Sequence, residues 1–117
     1  MPLDCPIKEV GNAIVLSPVG RVDQSNAAEF GGVMAPYVAN CNGSDSPLLV
    51  LDLSQLEYIS SAGLRELMIV GKRIHCQHGK LAITGLQPLV SEVFQISRFD
   101  TLFNIYDSVD SAVKAIQ

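Results

Sequence analysis

Leu48-Leu49-Val50-Leu51-Asp52-Leu53-Ser54-Gln55-Leu56-Glu57-Tyr58-Ile59-Ser60-Ser61-Ala62-Gly63-Leu64-Arg65 carries a strand into a helix through a serine turn. Leu48 to Leu51 is a continuous apolar run, the pattern of a strand buried on both faces inside a parallel sheet covered by helices, so this strand is placed centrally. Pro47 precedes the run, and Asp52, Ser54 and Gln55 break it, which limits the strand to roughly five to seven residues. After Ser61 the period changes. Leu64, Leu67, Gly71 and Ile74 fall on one helical stripe, with Arg65, Lys72 and Arg73 turned away from it. Pattern alone makes Ser61 the N-cap of that helix, its oxygen accepting from the N–H of Gly63 or Leu64.

Upstream, Ile7 to Val10 and Ala13 to Val19 are strand candidates separated by Gly11-Asn12, a spacing that favours a hairpin. Pro18 cannot donate to a ladder, so the second strand ends or bulges there. Gly20-Arg21-Val22-Asp23-Gln24 reads as a turn, with Ser25 or Asn26 capping a helix whose buried stripe is Ala27, Phe30, Met34, Tyr37 and Cys41. Asn42 to Pro47 is a loop of turn formers. Downstream, the serine helix stops near His78, because glycine, here Gly79, is the usual residue just past a helix end. Leu81-Ala82-Ile83 is the next strand, and strand, helix and strand together make a parallel unit with a right-handed crossover. Pro88 starts a third helix with Leu89, Val90, Val93 and Phe94 facing in. Leu102 to Tyr106 is the fifth strand, and Ser108 or Asp107 caps a last helix burying Val109, Ala112, Val113 and Ile116. The expected fold is an α/β sandwich, a mixed four- to five-stranded sheet with about four helices packed on it.

At 117 residues the chain suits one small domain over 1–117. With 48% hydrophobic and 17% charged residues it lies outside the disordered range. A net charge of −4 argues against sequence-independent attraction to nucleic acid. No apolar stretch approaches the ~20 residues that span a bilayer, and Met1-Pro2-Leu3-Asp4-Cys5 lacks the regions of a signal peptide. A cytoplasmic protein with no direct membrane insertion is therefore expected. Cys5, Cys41 and Cys76 are odd in number and far apart, so they read as reduced thiols.

The residues speak against catalysis. A Gly-x-Ser-x-Gly elbow would need glycine where Ile59 stands, two before Ser61. His75 and His78 lie three or four turns of 5.4 Å beyond the serine. No phosphate-binding glycine loop with lysine is present, and Asp52 and Glu57 read as solvated loop carboxylates. His75-Cys76-Gln77-His78 has no second Cys/His pair to complete a tetrahedral zinc site. The expectation is no enzyme, no metal and no cofactor.

Asp52-Leu53-Ser54-x-Leu56-x-Tyr58-Ile59-Ser60-Ser61-Ala62-Gly63-Leu64 resembles the signature of STAS domains, the sulphate-transporter and anti-sigma-factor-antagonist family. Gly20-x-Val22-Asp23 with Ala27 downstream, and Gly79-Lys80-Leu81 to Gly85-Leu86-Gln87-Pro88, match other parts of the pattern in the same order. The resemblance spans nearly the whole chain. It implies an anti-sigma-factor antagonist, a binding module switched by serine phosphorylation in a partner-switching pathway of transcription regulation. Aligning Gly63-Leu64 with the family places the phosphate acceptor at Ser61, with Ser60 as the second candidate and Asp23 as the acidic neighbour. Ser60, Ala62 and Arg65 depart from the commoner aspartate, hydroxyl residue and glycine.

The implied partners are an anti-sigma factor that is also a serine kinase of histidine-kinase-like fold, and a metal-dependent serine phosphatase. The docking face expected from the resemblance and the helix pattern is Ser61, Leu64, Arg65, Met68, Ile69, Lys72 and Arg73. An exposed Ile69 among cations would be an anchor with a polar rim. The alternative within the family is a soluble STAS subunit of a lipid-transport ATPase, which docks constitutively and does not need the Ser61 hydroxyl.

Overall fold

The computed structural model describes residues 3–41, 43 and 47–116. Its elements are β1 (Ile7–Val10), β2 (Ala13–Leu16), β3 (Gly20–Val22), α1 (Ala27–Ala39), β4 (Leu48–Asp52), β5 (Leu56–Ile59), α2 (Ser61–Cys76), β6 (Leu81–Thr84), α3 (Pro88–Ile96), a 3-10 turn (Phe99–Thr101), β7 (Asn104–Tyr106) and α4 (Val109–Ile116). One sheet has the order β1-β2-β4-β6-β7. β1 and β2 form the expected hairpin, and every other neighbouring pair in that sheet is parallel. The mixed five-stranded sheet with four helices is thus present, with β4 at its centre.

The side chains of β4 alternate between two cores, which explains an apolar run without polar breaks. Leu49 and Leu51 join the larger core with Phe30 and Met34 of α1, Leu67 and Ile74 of α2, and Val90 and Phe94 of α3. Leu48 and Val50 face the other way, toward Ala13, Val15, Ala82 and Ala112 of α4. Burying each such Leu or Val contributes about 1.5–3 kcal/mol. Of the two candidate caps of α4, Ser108 and Asp107, it is Ser108 whose Oγ accepts from the Ser111 N–H, at 3.1 Å.

Several boundaries differ from the sequence reading. Gly20–Val22 is a strand rather than a turn, and Leu56–Ile59, read as part of the serine turn, is also a strand. The two pair in parallel as a separate ribbon. They are three and four residues long, too short to show a period-2 pattern. β2 ends at Leu16, before Pro18, and β7 begins only at Asn104, leaving Leu102 60% exposed. In α1 Val38 is buried where Tyr37 is half-buried; in α2 Val70 is buried where Gly71 is half-buried. In α3 Leu89 is exposed, since only Val90 and Phe94 face the core fully. The residue with positive φ after α2 is His78, at 61°. Gly79 is required for another reason: a Cβ there would come within 2.2 Å of the Cys41 carbonyl oxygen. Of the loop assigned to Asn42–Pro47, Asn42, Ser44, Asp45 and Ser46 lie outside the described residues.

Candidate functional site

The site is built on the β3–β5 ribbon. Val22 pairs with Ile59, and the Val22 carbonyl accepts from the Ser60 N–H at 2.9 Å. Parallel pairing makes both strands leave the ribbon at the same end, so Asp23 and the two serines emerge side by side. Ser60 has extended backbone, and its Oγ accepts from the Gly63 N–H at 3.2 Å. Its carbonyl accepts the first helical bond, from Leu64 at 2.9 Å. Ser60, not Ser61, is therefore the N-cap of α2. Ser61 is the first helical residue, exposed, and its hydroxyl makes no hydrogen bond among the described residues. The sequence pattern put the cap at Ser61; the pairing of the Ser60 N–H with the Val22 carbonyl moves it one residue back.

Gly63 is buried, and a Cβ there would lie 2.7 Å from Cγ1 of both Ile59 and Val22. The first turn of α2 thus sits directly on the ribbon, with Ala62 half-buried beside it. Asp23 is held in place by its own turn. Its Oδ1 accepts from the Ser25 N–H at 2.9 Å and the Ser25 hydroxyl at 2.5 Å. These bonds, with a smaller contribution from the charge of Arg21, hold its carboxyl below the usual carboxylate range. Asn26 occupies the N-cap position of α1 but caps no helical N–H. Its Oδ1 accepts from the Asp23 N–H at 2.8 Å and its Nδ2 donates to the Arg21 carbonyl at 2.9 Å.

The ribbon adds a pair that sequence reasoning missed. The Arg21 guanidinium lies 4.5 Å from the centroid of the Tyr58 ring, a cation–π contact on the outer side of the two strands. Nothing local in the sequence signals it, because the two residues are partners only once β3 and β5 are paired.

Along α2, Arg65, Lys72 and Arg73 are exposed and Ile69 is 55% exposed, so Ile69 does not serve the core. Met68 is half-buried and packs against the core. Leu64 was expected on the docking face, but it is 8% exposed and packs into the main core, as its place on the buried stripe requires. Arg73 Nε donates to Gln77 Oε1 at 3.1 Å, while Gln77 Nε2 reaches back to the Val38 and Cys41 carbonyls. Asp52 accepts from the Ser54 N–H at 3.1 Å and Glu57 is exposed. Among the described residues no three His, Cys, Asp or Glu side chains gather as a metal site. No described helix is long and apolar enough to cross a membrane. All three thiols are free, and burial pushes that of Cys5 up.

The STAS domain family model matches residues 5–112. BtrV of Bordetella bronchiseptica, provisionally named an anti-sigma factor antagonist, is 37% identical over 98 residues, 84% of this chain and 81% of that protein. The crystal structure of TM1081 from Thermotoga maritima, provisionally described in the same terms, superposes with a TM-score of 0.84 at 25% identity, covering 96% of this chain and 93% of that one. The Bacillus anti-sigma factor antagonist SpoIIAA shares the fold at lower identity. In its unphosphorylated form the TM-score is 0.76 at 13% identity, over 97% of this chain and 96% of that one. In its phosphorylated form it is 0.70 at 12%, over 97% and 100%. The paired ribbon, the serine-capped helix and these matches make the chain a member of the STAS domain family, of the anti-sigma-factor-antagonist type.

Proposed function

We propose that this chain is a serine-phosphorylation-switched binding module in a partner-switching pathway of transcription regulation, with Ser61 as the phosphate acceptor. One observation carries the reading: of two adjacent serines, Ser60 is spent on the helix cap, whereas the exposed Ser61 hydroxyl is uncommitted. Ser61 can be modified without breaking the cap. The anti-sigma factor, acting as a serine kinase of histidine-kinase-like fold, transfers a phosphoryl group from its own Mg-ATP, and a metal-dependent phosphatase removes it. This chain supplies the hydroxyl and the surface around it, in the cytoplasm where the kinase finds its ATP.

At a helix start the phosphate meets free N–H groups and the positive end of the helix dipole, so the fold tolerates it. The surface changes instead, by about −1.5 to −2 charges and three acceptor oxygens. Arg65, Ile69, Lys72 and Arg73 form the docking face beside it, with Met68 at the edge. A partner surface shaped for a neutral serine must desolvate the new charge, and a cost of roughly 3 kcal/mol lowers affinity more than a hundredfold. The test is mass spectrometry after incubation with the cognate kinase. One phosphoryl group is expected on wild type and Ser60→Ala and none on Ser61→Ala. Addition that persists in Ser61→Ala and disappears in Ser60→Ala moves the acceptor to Ser60, and no addition in any variant rejects the switch.

A further inference from the structure

Away from the serines, the C-terminal half of α2 and the segment leading into β7 border an open trough of about 310 Å³. That volume is at the lower end of the range for small-molecule sites. Its walls are apolar: Met68 and Ile74 from α2, Leu81 at the start of β6, and Leu102 and Phe103 ahead of β7. Gly71 lets the Phe103 ring form one of those walls. A Cβ at Gly71 would stand 2.7 Å from the Phe103 ring, so the ring settles against bare helix backbone. Leu102 stays 60% exposed, an apolar wall that the protein's own core does not cover.

The polar side chains of the lining are Asn104 at the start of β7 and, on α2, Lys72 and His75. Lys72 and His75 are exposed, belong to the same helix three residues apart, and make no side-chain hydrogen bond or ion pair among the described residues. No carboxylate lines the cavity. An apolar trough with a cation at its edge and no acid to balance it is complementary to a molecule with an apolar body and one negative head.

We infer that this cavity is a binding site for an amphipathic monocarboxylate, its chain or ring against Met68, Leu102 and Phe103 and its carboxylate at Lys72. The inference does not rest on Ser61 being phosphorylated, and its test needs no kinase.

The probe is decanoate, titrated below its micelle-forming concentration into the full chain and followed by 1H–13C methyl spectra. Saturable shifts confined to Met68, Ile74, Leu81 and Leu102 are expected, and decanol should bind at least about threefold more weakly for want of the ion pair. Leu102→Glu replaces an exposed wall with a carboxylate, and it should weaken decanoate by tenfold or more while the amide spectrum keeps the native dispersion. Lys72→Gln should bring decanoate down to the level of decanol. The inference is overturned by the absence of saturable shifts, by shifts spread over the other exposed apolar residues Ile7, Val19, Ile69, Leu89 and Ile96, or by equal binding to wild type and folded Leu102→Glu.

Discussion

The starts of α1 and α2 both lie at one end of the β3–β5 ribbon, and they spend their polar side chains differently. At α1, Asp23, Ser25 and Asn26 bond to each other and to the Arg21 carbonyl, so these three side chains serve the turn. At α2, one serine caps and its neighbour does not, although both carry the same hydroxyl. The first arrangement fixes a carboxylate beside the ribbon; the second leaves a hydroxyl exposed next to it. A group added at the second hydroxyl would break no hydrogen bond of the frame.

The contrast predicts a graded set of effects, the largest on binding. Ser61→Asp should weaken anti-sigma-factor binding by a hundredfold or more, and Ser61→Ala should bind without regulation, as titration calorimetry would report. Equal affinities would remove Ser61 from the interface. Ile69→Asp should cost about 2 kcal/mol of binding with a stability change within ~0.5 kcal/mol, because Ile69 is exposed on the same helix.

Stability variants then separate the two serines at the start of α2. Gly63→Ala pushes a methyl group between Ile59 and Val22 and should destabilise by about 1–3 kcal/mol in urea unfolding. Ser60→Ala removes the cap and should cost ~0.5–2 kcal/mol, whereas Ser61→Ala should stay within ~0.5 kcal/mol of wild type. If both serines cost the same, the hydroxyls share the cap.

The smallest effect concerns pH. The Asp23 carboxyl is held below its usual range, chiefly by the two Ser25 bonds, so the folded state binds its proton more weakly than the unfolded chain does. Its contribution is present above about pH 4, the ordinary aspartate value, and is lost as pH falls through the folded value. Thermal unfolding of wild type and Asp23→Asn from pH 7 to 3 should show a gap that closes below about pH 4. A constant gap would mean that the turn depends on shape alone.

Much of this frame was legible in advance because it rests on local rules. The β4 run, the hairpin at Gly11-Asn12, the amphipathic α2 and a cap of α4 at Ser108 or Asp107 each follow from the period of apolar residues or from turn chemistry within a few positions. The cationic face with Ile69 exposed was legible for the same reason, since helical spacing alone separates Ile69 from the buried Leu67 and Ile74. Leu64 was counted in that face, yet its own stripe had already placed it inside.

The sequence by itself determined the α/β sandwich, the central strand, the serine turn and the cationic helix face, because these depend on neighbours within one or two turns of chain. Tertiary structure alone decided which serine caps, why Gly63 and Gly79 cannot carry a side chain, and that Arg21 stacks on Tyr58. Those facts depend on β3 meeting β5 and on α2 reaching Cys41, contacts between segments tens of residues apart. The local pattern put the cap at Ser61, and it moves one residue back only when the Val22 carbonyl takes the Ser60 N–H.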